Sequence, residues 1–269
     1  YRATTAGAFV LKFADRYFLN ARHDLAEVGL YGLAYQFGFL LIYASSAPFL
    51  QAWNPQRFAL STRPREERDA AYDDGFRWFS IVVVSAALGL CVFAQPILAL
   101  MAAPTYAGAA RLVPIIVAAY ALQAFTDAAE LGIQVSERTQ YATLATWAAV
   151  VVVLIGYVIQ IPPLGGLGAA LATLVAFAVR LGFTWRFAQR LWPIRLQLAP
   201  QIRLIAIALF CAGTVEWLRS ADIRQALLLA VMACAVFCVA VLMSVVSRDE
   251  RRALRDFLRQ CRASRPAAP

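Results

Sequence analysis

SIVVVSAALGLCVFAQPILALMAA, residues 80–103, holds no charged side chain over twenty-four positions. Roughly 20 apolar residues in a helix cross the hydrocarbon core of a bilayer. A second run, QALLLAVMACAVFCVAVLMSVVS at 225–247, has the same character. Of the 269 residues, 61% are hydrophobic and only 15% are charged, with mean hydropathy +0.63. A soluble domain carries about a quarter charged residues. In lipid every backbone polar group must be satisfied internally, which leaves helices or closed barrels. A barrel would need short alternating strands, and the sequence lacks them. The chain reads as an all-α membrane protein of about eight transmembrane helices.

The expected spans are 3–21, 25–53, 77–103, 109–135, 140–161, 166–190, 202–219 and 225–247. The uncharged stretch from Gln140 to Val179 is too long for one pass. PPLGG at 162–166 divides it, because two prolines and two glycines do not continue a helix cheaply. The seventh span has the least support, with 12 uncharged residues between Arg203 and Glu216. Prolines 48, 96 and 114 are expected to kink three spans.

Arginine sets the orientation. The loops after spans two, four and six, with the tail, hold sixteen arginines, and the opposite loops hold Arg22, Arg111, Arg219 and Arg224. Positive charge stays in the cytoplasm, so the chain enters from there and its C-terminus returns there. Trp53, Trp78, Trp185, Trp192 and Trp217 fall near span ends, as interfacial aromatics do, and Trp147 does not. The net charge of +9 is thereby mostly topology, and nucleic acid is excluded as a partner. The tail at 248–269 mixes Ala253, Leu254, Phe257 and Leu258 with arginines. It reads either as a short amphipathic helix on anionic lipids or as a solvated end. RPREERDAAYDD at 63–74 reads as a cytoplasmic helix leading into span three, with Asp73 and Asp74 as helix-start acids rather than metal ligands.

Chemistry of the enzymatic kind finds no support. The one histidine, His23, lies in a short outer loop, and no CxxC or metal spacing occurs. Four of the five cysteines lie within spans, where core packing is the expected role. The reading is of a non-enzyme that needs no cofactor and no metal.

The sharper question is FVLKFADRYFL at 9–19, which sets Lys12, Asp15 and Arg16 in an apolar span. The three are spaced i, i+3, i+4 and so share one face. Charges at such depth face a protein interior or a wet cavity and mark function by default. Asp15 either neutralises its neighbours in a static pair or leaves a surplus cation for an anionic substrate such as a phosphate, which arginine grips bidentately. Span four carries Gln123, Asp127, Glu130 and Gln134. Asp127 and Glu130 are candidates for counter-ions to Lys12 or Arg16, for the site of a coupling proton or sodium, or for acids snorkelling to the cytoplasmic end. On span two, Tyr35, Gln36 and Tyr43 are candidate sugar-facing groups, with plain helix packing as the alternative.

DRYFL (15–19), AEVGLYGLAYQFGFLL (26–41) and APFLQAWNPQRF (47–58) resemble the middle of bacterial polysaccharide flippases. YAGAARLVPIIVAAYALQ (106–123) and IPPLGGLGAALATLVAFAV (161–179) are similar to later parts of the same proteins. These are the O-antigen and exopolysaccharide exporters of the multidrug/oligosaccharidyl-lipid/polysaccharide superfamily. The resemblance covers about residues 1–195. It implies a 14-helix MATE-like transporter of two six-helix lobes and two extra helices, of which this chain would be the C-terminal part. Residues 1–195 would then form the C-terminal six-helix lobe, 196–247 the two trailing helices and 248–269 a basic cytoplasmic tail. The chain's abrupt start at Tyr1 fits a missing N-terminal lobe. The implied function is to flip an undecaprenyl-diphosphate-linked oligosaccharide from the cytoplasmic to the periplasmic leaflet of the bacterial inner membrane. In such proteins cations on the seventh span line a central cavity and meet the diphosphate, and Lys12, Asp15 and Arg16 match that position. The eleventh span departs from the pattern, since TWAAVVVVLIGYVIQ (146–160) has valines where asparagines are common. Rival readings are a drug exporter of the same superfamily, which would favour an anionic cavity, and a membrane glycosyltransferase or polymerase, which would need a large outer loop or a catalytic acid pair.

Overall fold

The computed structural model describes residues 2–22, 24–60, 62–218 and 223–245, which are helical but for short connections, with no strand among them. His23 and the tail at 248–269 lie outside the described residues, as do the side chains of Lys12 and Arg22. Helix α1 is Arg2–Arg22, and α2 is Leu25–Leu41. A π-helical segment, Ile42–Ser46, joins α2 to α3, Ala47–Leu60. Then come α4, Arg65–Met101, a 3₁₀ turn at Pro104–Arg111, α5, Val113–Ala129, and the short α6, Leu131–Val135. The chain continues as α7, Gln140–Leu191, α8, Leu198–Trp217, and α9, Ile223–Ser244.

Among the described residues five helices are long and apolar enough to cross a membrane, and a sixth is the pair Pro104–Arg111 and Val113–Val135, bent by 48°. The helical segment α7 is in fact two antiparallel limbs that reverse at Gly165 (φ 55, ψ −131). In a straight helix, sixteen residues would separate Tyr157 from Thr173 by about 24 Å. Instead the two hydroxyls lie 3.0 Å apart, and a Cβ on Gly156 would meet the Ala172 Cβ at 2.7 Å. Small residues here let the limbs approach closely, as in membrane helix pairs generally. Counting the two limbs of α7 separately brings the six passes to seven, and α1, the remaining expected span, is not among the helices apolar enough by length and composition.

The reversal rests on a carboxylate from another helix. Gly165 adopts a left-handed backbone that favours glycine, and a Cβ there would also fall 1.9 Å from the Glu27 Oε1. That oxygen accepts the Gly166 N–H at 2.7 Å. Glu27 thus caps the otherwise unpaired first turn of the second limb, where an anion also meets the positive end of the helix dipole.

Prolines act unequally. Pro48 follows the π segment, in which the Ala47 N–H reaches back five residues to the Ile42 carbonyl. Such bulges are a recognised source of helix bends. Pro96 lies within α4, which stays continuous. Pro114 sits in the first turn of α5, where a missing N–H costs nothing, two residues after the break at Leu112 where its expected span bends by 48°. At 37 residues, α4 is about 55 Å long by helical rise, well beyond a hydrocarbon core of about 30 Å. Its first third is the helix expected at 63–74, running straight into span three.

The main core joins α1, α2, α4, α5 and α7 through Leu11, Leu19, Tyr31, Tyr35, Tyr120, Tyr157 and Phe177. A second core packs α8 and α9 on α4, through Leu204, Cys211 and Phe237 against Val84, Leu88 and Val92. Asp73 ties the two regions together, its Oδ1 accepting the backbone N–H of Gln197 at the start of α8 at 2.7 Å, while Asp74 pairs with Arg77 at 3.0 Å.

Candidate functional site

The buried stripe of α1 is Gly7, Leu11, Asp15 and Leu19, each four residues from the next. That spacing returns to one helix face. Asp15 therefore occupies a core position and is fully buried. Its Oδ2 accepts the Tyr31 hydroxyl at 2.8 Å, and its Oδ1 accepts the backbone N–H of Arg16 at 2.8 Å. Asp15 and Tyr31 stand eight residues before and after position 23, so the antiparallel pair α1 and α2 brings them to one level.

Arg16 is turned about 100° around the helix from Asp15 and lies at the edge of the stripe, half-buried. Its guanidinium lies 5.8 Å from the Phe13 ring centre and 5.9 Å from that of Tyr35. Contacts of this kind attract a cation to the ring face. Among the described residues no carboxylate comes within ion-pair distance of it. The common face expected from i, i+3, i+4 spacing is thus split: Asp15 is spent on the core, and Arg16 is held by aromatic rings at its border. Lys12 lies one turn before Arg16 on the α1 backbone.

On α2, Tyr31, Tyr35, Phe39 and Tyr43 form a ladder with ring centres 5.4, 5.4 and 6.5 Å apart. Tyr35 is fully buried against Tyr120, at 5.3 Å, whereas Gln36 is exposed and Tyr43 is 71% exposed. A Cβ on Gly38 would strike the Tyr120 ring at 2.3 Å, so α5 seats that ring directly on the α2 backbone. The ladder therefore leads from the core, under Arg16, to a tyrosine in the π segment that lies open. Behind it, the Thr173 hydroxyl donates its one proton to the Ala169 carbonyl at 2.9 Å, so Tyr157 is the donor in their 3.0 Å bond.

A second polar cluster sits nearer the arginine-rich end. Arg180, on the second limb of α7, donates from Nη1 to Gln123 Oε1 at 2.6 Å and from Nη2 to Glu130 Oε1 at 3.1 Å. Gln123 in turn donates to Asp127 Oδ1 at 2.7 Å. Neither acid of the cluster is joined to Arg16: the counter-ion of Glu130 is Arg180. Buried Arg57 donates from Nη1 to the Ala128 carbonyl at 3.5 Å, and its own carbonyl accepts the Tyr72 hydroxyl. Sequence reasoning counted Arg57 among the arginines of the loop after span two, whereas it is buried within α3, and it passed over Arg180. The signal for Arg180 was its place directly after the uncharged stretch ending at Val179, well inside the span expected at 166–190. No group of three metal-ligating side chains occurs among the described residues.

No family model matches the chain, and no curated protein matches it. Among solved structures it is similar to the lipid II flippase MurJ in an inward closed conformation. The TM-score is 0.68 at 12% sequence identity, over 91% of this chain and 53% of that one. The likeness at this identity is one of fold. The chain is a multi-pass α-helical membrane protein with a MurJ-like fold, and it spans about half the length of that flippase.

Proposed function

We propose that the chain is the C-terminal lobe, with two trailing helices, of a transporter that flips a lipid-linked oligosaccharide by alternating access. The substrate we assign is an undecaprenyl-diphosphate-linked sugar, carried from the cytoplasmic to the periplasmic leaflet for surface polysaccharide synthesis. The observation that carries the reading is Arg16. A half-buried guanidinium deep in a membrane helix, without a carboxylate, is costly unless something anionic meets it. Its placement on two rings leaves its donor edges for a ligand, and the planar fork of arginine suits a diphosphate. The fold it shares with MurJ, a flippase of lipid II, supports a lipid-linked cargo.

In this account Lys12 adds a second cation one turn away. Exposed Gln36 and Tyr43 meet the sugar, while Tyr35 holds Arg16 in place. The prenyl tail stays in the bilayer as a second lobe rocks against this one. Asp127 and Glu130 are the place for a coupling cation, since a proton on Glu130 would release Arg180. No bond of the substrate is broken, so the protein is a transporter and not an enzyme. The test is polysaccharide export in a strain whose complete protein carries Arg16→Ala. Reduced export with normal membrane insertion is expected, and unchanged export would exclude the diphosphate role.

A further inference from the structure

Four oxygens of the Arg180 cluster already face N–H donors. Gln123 Oε1 and Glu130 Oε1 accept from Arg180, Asp127 Oδ1 accepts from Gln123, and the Ala128 carbonyl accepts from Arg57. A hard metal cation needs several oxygens turned toward one place. Here two guanidiniums occupy the centre instead, and like charges repel. One is Arg180, from the second limb of α7. The other is Arg57, from α3, whose charge acts on both Glu130 and Asp127. The arrangement therefore disfavours sodium. A proton needs only one lone pair, and a carboxylate that accepts one hydrogen bond keeps others.

Orphaned polar atoms beside the acid point to internal water. Arg57 Nε, Arg180 Nε and the Thr184 hydroxyl have no hydrogen-bond partner among the described residues, and their residues are 2%, 9% and 0% exposed. Thr184 follows Arg180 by one turn on the same face of α7. Buried polar groups that the protein leaves over are the usual partners of internal water. Room for it lies close by. A cavity of about 40 Å³ flanks Glu130, lined by Ala128, Ala129, Leu131 and Gly132 with the polar side chains of Tyr72 and Gln189. A water needs about 10–15 Å³ of such space. Glu130 itself stands at the break between α5 and α6, its side chain partly exposed. A proton thus finds both an acceptor and a hydrated approach.

We propose, resting on the transport reading above, that the coupling ion is a proton, taken up by Glu130 at the arginine-rich, cytoplasmic end in exchange for its pair with Arg180. Glu130 is the acceptor because it is the acid paired directly with Arg180, while Asp127 bonds the Gln123 amide. The charged and titratable groups around Glu130 are Arg180 from α7, Arg57 from α3 and Asp127 one turn back on α5, with the Tyr72 phenol of α4 beside Arg57. Uptake turns the carboxylate into an acid and leaves Arg180 without its counter-ion. The tie between the second limb of α7 and the α5–α6 break is thereby loosened.

The test treats the purified complete protein with dicyclohexylcarbodiimide, an apolar reagent that adds the O–H of a protonated carboxylic acid across its C=N bond. Modified Glu130 is then counted by mass spectrometry. Labelling is expected to rise as the pH falls and to be the same in sodium and in choline at one ionic strength. Arg180→Gln removes a positive neighbour and should carry the labelling to higher pH, whereas Arg180→Lys should keep it near the wild type. Protection by sodium overturns the proposal in favour of a sodium site. Labelling that does not change with pH, in protein monodisperse on gel filtration, overturns it in favour of a static ion pair. In liposomes, movement of a lipid-linked sugar should respond to an imposed pH gradient. Transport that ignores the gradient overturns the coupling and leaves the transporter reading intact. Labelling that is pH-dependent and indifferent to sodium supports the proton site even where no transport is seen, and it is then the transporter reading that fails.

Discussion

The Tyr31 hydroxyl donates to Asp15 Oδ2 at 2.8 Å, across the interface between α1 and α2. This bond separates Asp15 from Arg16 in FVLKFADRYFL. The carboxylate faces inward and is satisfied by a phenol, so it does not reach the neighbouring guanidinium. Tyr31→Phe should leave a buried carboxylate one donor short and cost about 1–3 kcal/mol. Thermal unfolding of the purified protein checks this. An unchanged midpoint would show that the bond is not supporting α1.

Arg180 and Glu130 form a half-shielded pair at 3.1 Å, with side-chain exposures of 11% and 19%. Removing one partner of such a pair strands the other charge and costs about 3–5 kcal/mol when burial is deep. Glu130→Gln should therefore lower the yield of folded protein more than Arg180→Gln combined with Glu130→Gln does. A double-mutant cycle in detergent stability measures the coupling, and additive losses would contradict the pairing.

Gly165 is the hinge of the α7 hairpin. Gly165→Ala should cost at least about 1–2 kcal/mol for the left-handed backbone, before the clash with Glu27 is counted. Glu27→Gln keeps a hydrogen bond to Gly166 but loses its charge, and should cost about 0.3–1 kcal/mol. Protease protection of the inserted protein orders the two. Equal tolerance of both substitutions would contradict the capping role of Glu27.

These contacts show what a sequence does and does not disclose. PPLGG announced the reversal because proline and glycine act locally, through a missing N–H and a permissive backbone. The carboxylate that completes the turn comes from Glu27, 139 residues away, and nothing local marks it. The apolar runs gave the passes because bilayer thickness is a fixed length, and α4 was legible even in its projecting first third. Helix phase was harder. Asp15 and Arg16 are adjacent in the chain and diverge by about 100°, so which one meets the core depends on where α2 places Tyr31. Tyr35 and Gln36 diverge in the same way, one into the core and one outward. Arg57 was unreadable as a buried group because its partner Ala128 lies on another helix, whereas Arg180 was marked by its place inside an expected span and only its partners, Gln123 and Glu130, were hidden.

Arg16 remains the centre of the account, and transport itself tests it most directly. The complete protein would be reconstituted in liposomes with a fluorescent undecaprenyl-diphosphate-linked sugar. Appearance of label on the far leaflet would be followed by a membrane-impermeant quencher. The account predicts transport by the wild type, a loss of about tenfold or more with Arg16→Ala, corresponding to about 1.5–3 kcal/mol for a charge-assisted bond, and partial recovery with Arg16→Lys. Transport at the wild-type rate by Arg16→Ala would contradict the claim that this guanidinium receives the diphosphate.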